Sequence, residues 1–62
     1  MVYRLYFLDA SEKISGIMTF DSSNDDSAIL VAESRAAGRF FEVWNRDRLV
    51  IRNANPNVSV RL

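Results

Sequence analysis

The stretch Arg39–Phe40–Phe41–Glu42–Val43–Trp44 decides the fold. It is rich in aromatic and β-forming residues, follows a helical pattern that stops at Gly38, and reads as a β-strand. Side chains of a strand alternate between the two faces of a sheet. Phe41 and Val43 therefore share one face, and Phe40, Glu42 and Trp44 share the other. Both faces hold large apolar groups. A single helix covers only one of them, so the sequence predicts a second face that something else covers, a partner chain or a ligand.

Downstream, Asn45–Arg46–Asp47–Arg48 is a polar turn without glycine, and Leu49–Asn53 is a further strand. An odd-numbered loop, most simply of three residues, lets Leu49 and Ile51 join Phe41 and Val43 beneath the helix. An even loop pairs Trp44 with Leu49 and brings Trp44 beside Ile51 in the core. The odd loop is the reading adopted, and it sends Val50 and Arg52 to the open face. Ala54–Asn55–Pro56–Asn57 breaks regular structure, and the tail Val58–Leu62 either adds a short edge strand or stays loose.

Upstream, Asp21–Ser22–Ser23–Asn24–Asp25–Asp26 marks a helix start, with Ser23 as cap and Asp26 three residues on in an approximate capping box. An EF-hand reading of these acids fails. Counted from Asp21, that loop needs a glycine where Asp26 stands and a glutamate where Ala32 stands. The helix runs to about Ala37, with Gly38 as its left-handed stop. Ala28, Ile29, Ala32 and Ala36 lie on one stripe, small enough for close approach to a sheet, and Leu30 points away.

Before the helix come two strands, Val2–Leu8 and Ile14–Phe20, joined by the polar loop Asp9–Lys13. Tyr3, Leu5 and Phe7 form one face of the first, and Val2, Arg4, Tyr6 and Leu8 the other. In the second, Ile14, Met18 and Phe20 fall together and Ile17 opposite, unless a bulge at Gly16 changes the facing. The whole is an α+β domain, ββαββ, over residues 1–53. A right-handed crossover from the second strand passes over the first, which gives a four-stranded antiparallel sheet of order 2-1-3-4.

Sixty-two residues allow one domain, and such a chain buries only about 60% of the surface its unfolded form exposes. Small domains are commonly stapled by disulfides, metals or partners. The chain has no cysteine and no histidine, which excludes a disulfide and the ordinary ligation of zinc, haem or iron–sulfur groups. Association is the device that remains, and a homodimer is the expectation. Residues 1–33 hold six acids against two bases, net −4, and residues 34–62 hold six arginines against two acids, net +4. Such a dipolar chain favours self-association unless the halves intermingle in the fold. The apolar run at the N-terminus is broken by Arg4 and ends at Asp9, so it is no secretory signal, and no segment approaches a membrane span. A cytoplasmic protein is expected.

Tyr-Arg-Leu-Tyr-Phe-Leu-Asp (3–9), Ile14 with Gly16, Asp-Asp-Ser-Ala-Ile (25–29), Ala-Gly (37–38), Glu-Val-Trp (42–44) and Leu-Val-Ile-Arg (49–52) are similar to a family of short uncharacterised bacterial proteins, met chiefly in alphaproteobacteria. The resemblance spans residues 3–52 and its motifs are structural. It implies a bacterial cytoplasmic protein of unknown function and brings no active-site residue with it. Members of that family often carry a glycine in the turn after the tryptophan, where this chain has Arg46–Asp47–Arg48.

Catalytic constellations are nearly absent from the sequence, and paired carboxylates are the one arrangement suited to acid–base work. Serines lack a histidine base, Lys13 is the sole lysine, and Gly16 and Gly38 are too far apart to cradle a phosphate. Asp25 and Asp26 are explained by capping, and Asp9 and Glu12 by a solvated turn. A pocket of about 300 Å³ or more, as ligand sites require, has little room in so short a chain. Neither enzyme activity nor a cofactor is expected. The open face is predicted to present Arg4, Tyr6, Leu8, Phe40, Glu42, Trp44, Val50 and Arg52, with Glu42 pairing with Arg4 or Arg52. Its first use is as a protein interface, most simply a symmetric homodimer, since tryptophan, tyrosine and arginine are the types enriched in hot spots. The alternative is single-stranded nucleic acid, with aromatics stacking bases and arginines holding phosphates. Zero net charge and the central Glu42 weigh against it. The bland reading is that Phe40 and Trp44 pack beneath the tail and across neighbouring strands.

Overall fold

A computed structural model describes residues 1–54 of the chain. Its elements are β1 (Val2–Leu8), β2 (Ile14–Asp21), α1 (Asp25–Ala36), β3 (Phe40–Asn45) and β4 (Arg48–Asn53). The strands form one antiparallel sheet in the order β2-β1-β3-β4, as the crossover argument requires. The tail strand suggested for Val58–Leu62 lies outside the described residues.

The helix begins one residue later than the capping box implies. Asn24, in an extended conformation, caps it, and its side-chain oxygen accepts the Ser27 N–H at 2.8 Å. Amide and hydroxyl caps are about equally good, and Asn24 takes the role that the spacing to Asp26 assigns to Ser23. At the other end Ala37 is itself left-handed (φ 52°), ahead of Gly38 (φ 88°), and its N–H reaches back to the Glu33 carbonyl. Ala28, Ala32 and Ala36 are buried, as the stripe predicts, and lie against Tyr3, Leu5, Phe41 and Val43. Phe7, Met18, Phe20, Val50 and Ile51 close the rim of this core.

Two bulges set the facing of the outer strands. Phe7 pairs with Gly16 but Leu8 pairs with Ile14, so Ser15 is the extra residue. Ile14 therefore leaves the company of Met18 and Phe20 and joins Ile17 on the open face. The glycine beside the bulge has its own reason, since a Cβ at position 16 would stand 3.3 Å from the Phe7 ring. In the second hairpin only Arg46 and Asp47 connect β3 to β4, and Asn45 pairs with Arg48. The connection is even, where an odd one is expected from the apolar pattern. Trp44 pairs with Leu49, and then a bulge at Val50 restores the parity, so that Val43 meets Ile51. Val50 packs against the core and Leu49 takes the place predicted for it on the open face. The sequence offered two mutually exclusive registers, and the bulge satisfies part of each.

Candidate functional site

The face of the sheet opposite α1 is built in cross-strand rows. The middle row runs Ile17–Tyr6–Glu42–Arg52 across β2, β1, β3 and β4. Toward the β3–β4 turn the next row is Thr19–Arg4–Trp44–Leu49. Toward the β1–β2 loop lie Ile14, Leu8 and Phe40. Val2 shares the face at the far end of β1. The helix packs against the other face, on Tyr3, Leu5, Phe41 and Val43. Val2, Ile14, Ile17 and Leu49 are 61, 56, 60 and 43% exposed, four of the six large apolar side chains open to solvent among the described residues. Tyr6, Phe40 and Trp44 are half-buried, and Leu8 is buried.

Of the residues predicted for this face, Arg4, Tyr6, Leu8, Phe40, Glu42, Trp44 and Arg52 are there and Val50 is not. Ile14, Ile17 and Leu49 belong to it as well. Ile14 and Leu49 were hidden by the two bulges. Ile17 was legible as facing away from Met18 and Phe20, and only its position in the middle row is new.

A polar network crosses the face. The Trp44 indole N–H donates to Glu42 Oε1 at 2.9 Å, and Glu42 Oε2 lies 3.3 Å from Arg52 Nη1. Arg52 Nη2 donates to Glu12 Oε1 at 2.7 Å. Glu42 thus pairs with Arg52 and not with Arg4, whose guanidinium donates to the Tyr6 hydroxyl at 3.4 Å. Glu12 is no solvated turn residue. It adopts φ 67°, its side chain is 14% exposed, and its Oε2 is enclosed with no hydrogen-bond partner among the described residues. Nothing in the local sequence announces this, because the partner stands forty positions later. The same loop is tied by Asp9, whose carboxylate accepts the Ser11 and Lys13 N–H groups.

On the helix side a second network joins three elements. The enclosed Tyr3 hydroxyl donates to Asp25 Oδ1 at 2.8 Å, and Arg48 grips both Asp25 oxygens at 2.9 and 3.1 Å. Arg48, and then Tyr3, hold the Asp25 carboxyl below its usual pKa. Burial, and then Asp25, push the Tyr3 phenol up. Asp25 is therefore more than a capping acid. With Glu12–Arg52 and Asp25–Arg48, acids of the first half meet arginines of the second, and the charge asymmetry of the sequence is partly cancelled inside the fold.

Concavities exist that the chain length argues against. One of about 370 Å³ lies on the open face between Tyr6, Ile14, Glu42 and Trp44, and one of about 580 Å³ lies at the sheet end beside Met1, Arg4 and Arg46. Both are open to solvent, unlike the enclosed sites that bury most of a small ligand. Among the described residues no cluster of three or more potential metal ligands occurs, and no helix is long and apolar enough to cross a membrane. Comparison with protein-family models, with curated proteins and with solved structures finds no match.

Proposed function

We propose that this protein is a small non-enzymatic interaction module that associates with a second copy of itself through the open sheet face. The observation that carries the proposal is the set of exposed Val2, Ile14, Ile17 and Leu49, continuous with half-buried Tyr6, Phe40 and Trp44, on one side of a two-layer domain. Apolar patches of this kind on small proteins mark interaction sites. Four strands of six to eight residues present roughly 400 Å² in projection. That is small beside the ~800 Å² each partner buries in a standard interface. Association in the micromolar range is expected, with a monomer that stays folded on dilution.

Single-stranded nucleic acid is the less favoured occupant. Glu42 sits in the middle row, and Arg52 is already shared between two carboxylates. Ile17→Asp tests the proposal by light scattering on a sizing column. Wild type should move from 7.1 kDa toward twice that mass as concentration rises through the micromolar range, and the variant should stay monomeric. Leu30→Asp, on the outer side of the helix, should behave as wild type. Equal behaviour of the two variants, or a wild type that is monomeric at every concentration, contradicts it. A gain of mass with single-stranded RNA alone would move the reading to the alternative.

A further inference from the structure

We infer that the two copies meet about a two-fold axis that runs parallel to the strands between β1 and β3, so that Tyr6 and Arg4 of each copy face Glu42 and Trp44 of the other. The inference rests on the self-association proposed above and specifies its geometry. Two sheets that pack face to face by a two-fold axis have that axis in the plane between them, and aligned packing keeps the strands within about 30° of one another. Two directions then remain, across the strands or along them.

An axis across the strands lays each strand on its own copy. The middle row would meet itself, with Glu42 on Glu42 and Arg52 on Arg52, like charges stacked where water is excluded. An axis along the strands lays β1 over the partner's β3, and the cross-strand register dictates the rest. Tyr6 is the cross-strand neighbour of Glu42, and Arg4 of Trp44. Exchanging the two central strands therefore brings the Tyr6 hydroxyl over the partner's Glu42 carboxylate and the Arg4 guanidinium over the partner's indole. The first contact is a charge-assisted hydrogen bond and the second a cation–π contact. Arg52 moves over Ile17, where its aliphatic stem covers an exposed side chain and its charge stays with Glu12 and Glu42. Each contact occurs twice.

The same exchange carries β2 over the partner's β4 and sets Thr19 against Leu49 in the Arg4–Trp44 row. Within one chain these two positions are three strand spacings apart, roughly 14 Å. The chain has no cysteine, so introduced thiols report only on themselves. A mixture of Thr19→Cys and Leu49→Cys chains, treated with a short bismaleimide at a concentration where wild type is dimeric, should give a covalent heterodimer. Ile17→Cys alone should link poorly, since it would face β4 and not its own copy. Efficient Ile17→Cys self-linking without the 19–49 product would establish the crossed axis and overturn the inference while leaving self-association intact. Dimers in which none of the thiols link would place the contact elsewhere and overturn it as well. A chain that is monomeric throughout would remove both proposals. As an independent readout, Arg4→Gln should weaken the dimer about tenfold and leave the thermal unfolding of the dilute monomer unchanged; an unaltered dimer affinity counts against the inference.

Discussion

The two faces of the sheet carry comparable numbers of aromatic and aliphatic side chains, yet the chain finishes one and leaves the other open. Under α1 the three alanines bring the helix close enough that Tyr3, Leu5 and Val43 lose all contact with solvent. The polar groups at that margin are paired: Tyr3, Asp25 and Arg48 satisfy one another. On the opposite face Arg52 of β4 joins the loop residue Glu12 to Glu42, which accepts the Trp44 indole N–H, among isoleucines that remain in water, and one Glu12 oxygen has no hydrogen-bond partner among the described residues. The difference separates what makes the domain fold from what is left over for association. Side chains under the helix contribute by burial within one chain. Those on the open face can contribute comparable burial only when another surface arrives.

The comparison breaks first, if it breaks at all, at the centre of the covered face. Leu5→Ala should cost roughly 2–5 kcal/mol in urea denaturation of the dilute monomer, enough to unfold much of a domain this small. Ile17→Ala on the open face should stay within about 0.5 kcal/mol in the same experiment. Equal costs would mean that the open face is packed within the single chain.

The Asp25 network comes next. The folded value of Asp25 lies below its unfolded one, so its contribution is complete above the unfolded carboxylate range and is lost as pH falls through the folded value. Tyr3 has the opposite sign. Its folded value is raised, so its contribution is complete below the unfolded phenol value and is lost as pH rises through the folded one. Asp25→Asn should lower the melting temperature near neutral pH and flatten its decline in acid. Tyr3→Phe should flatten the alkaline decline. Neither variant should alter the dimer affinity, because both groups lie on the helix side.

Gly38→Ala is a smaller perturbation. A Cβ there meets no atom within 4 Å, so only the φ of 88° opposes it, at a cost of about 1 kcal/mol seen equally in monomer and dimer. Leu30→Ser should be smallest of all, within about 0.5 kcal/mol, since that side chain is 67% exposed on the outer side of the helix.

Most of the architecture was legible because it rests on patterns of short range. Strand alternation around Phe41 and Val43, the alanine stripe and the handedness of the crossover were enough for element order and sheet topology. What escaped was local geometry that changes a face by one residue. The bulge at Ser15 turned Ile14 over, and the bulge at Val50 exchanged Leu49 and Val50. A glycine hinted at the first; no glycine marks the second, and Arg46 occupies the left-handed position of the turn with φ 58°. The long-range ion pairs were illegible for a different reason. Glu12 and Arg52 are brought together only by the complete sheet, and no spacing in the sequence encodes them.

The most direct test of the account is a dilution series followed by ¹⁵N–¹H correlation spectra. Amide signals of Tyr6, Ile17, Glu42 and Leu49, with the Trp44 indole signal, should shift with concentration across the micromolar range. Those of Leu30, Val31 and Ser34 on the outer side of α1 should stay fixed. Spectra that do not change with concentration, or changes confined to the helix, would contradict the claim that a second copy covers the open face.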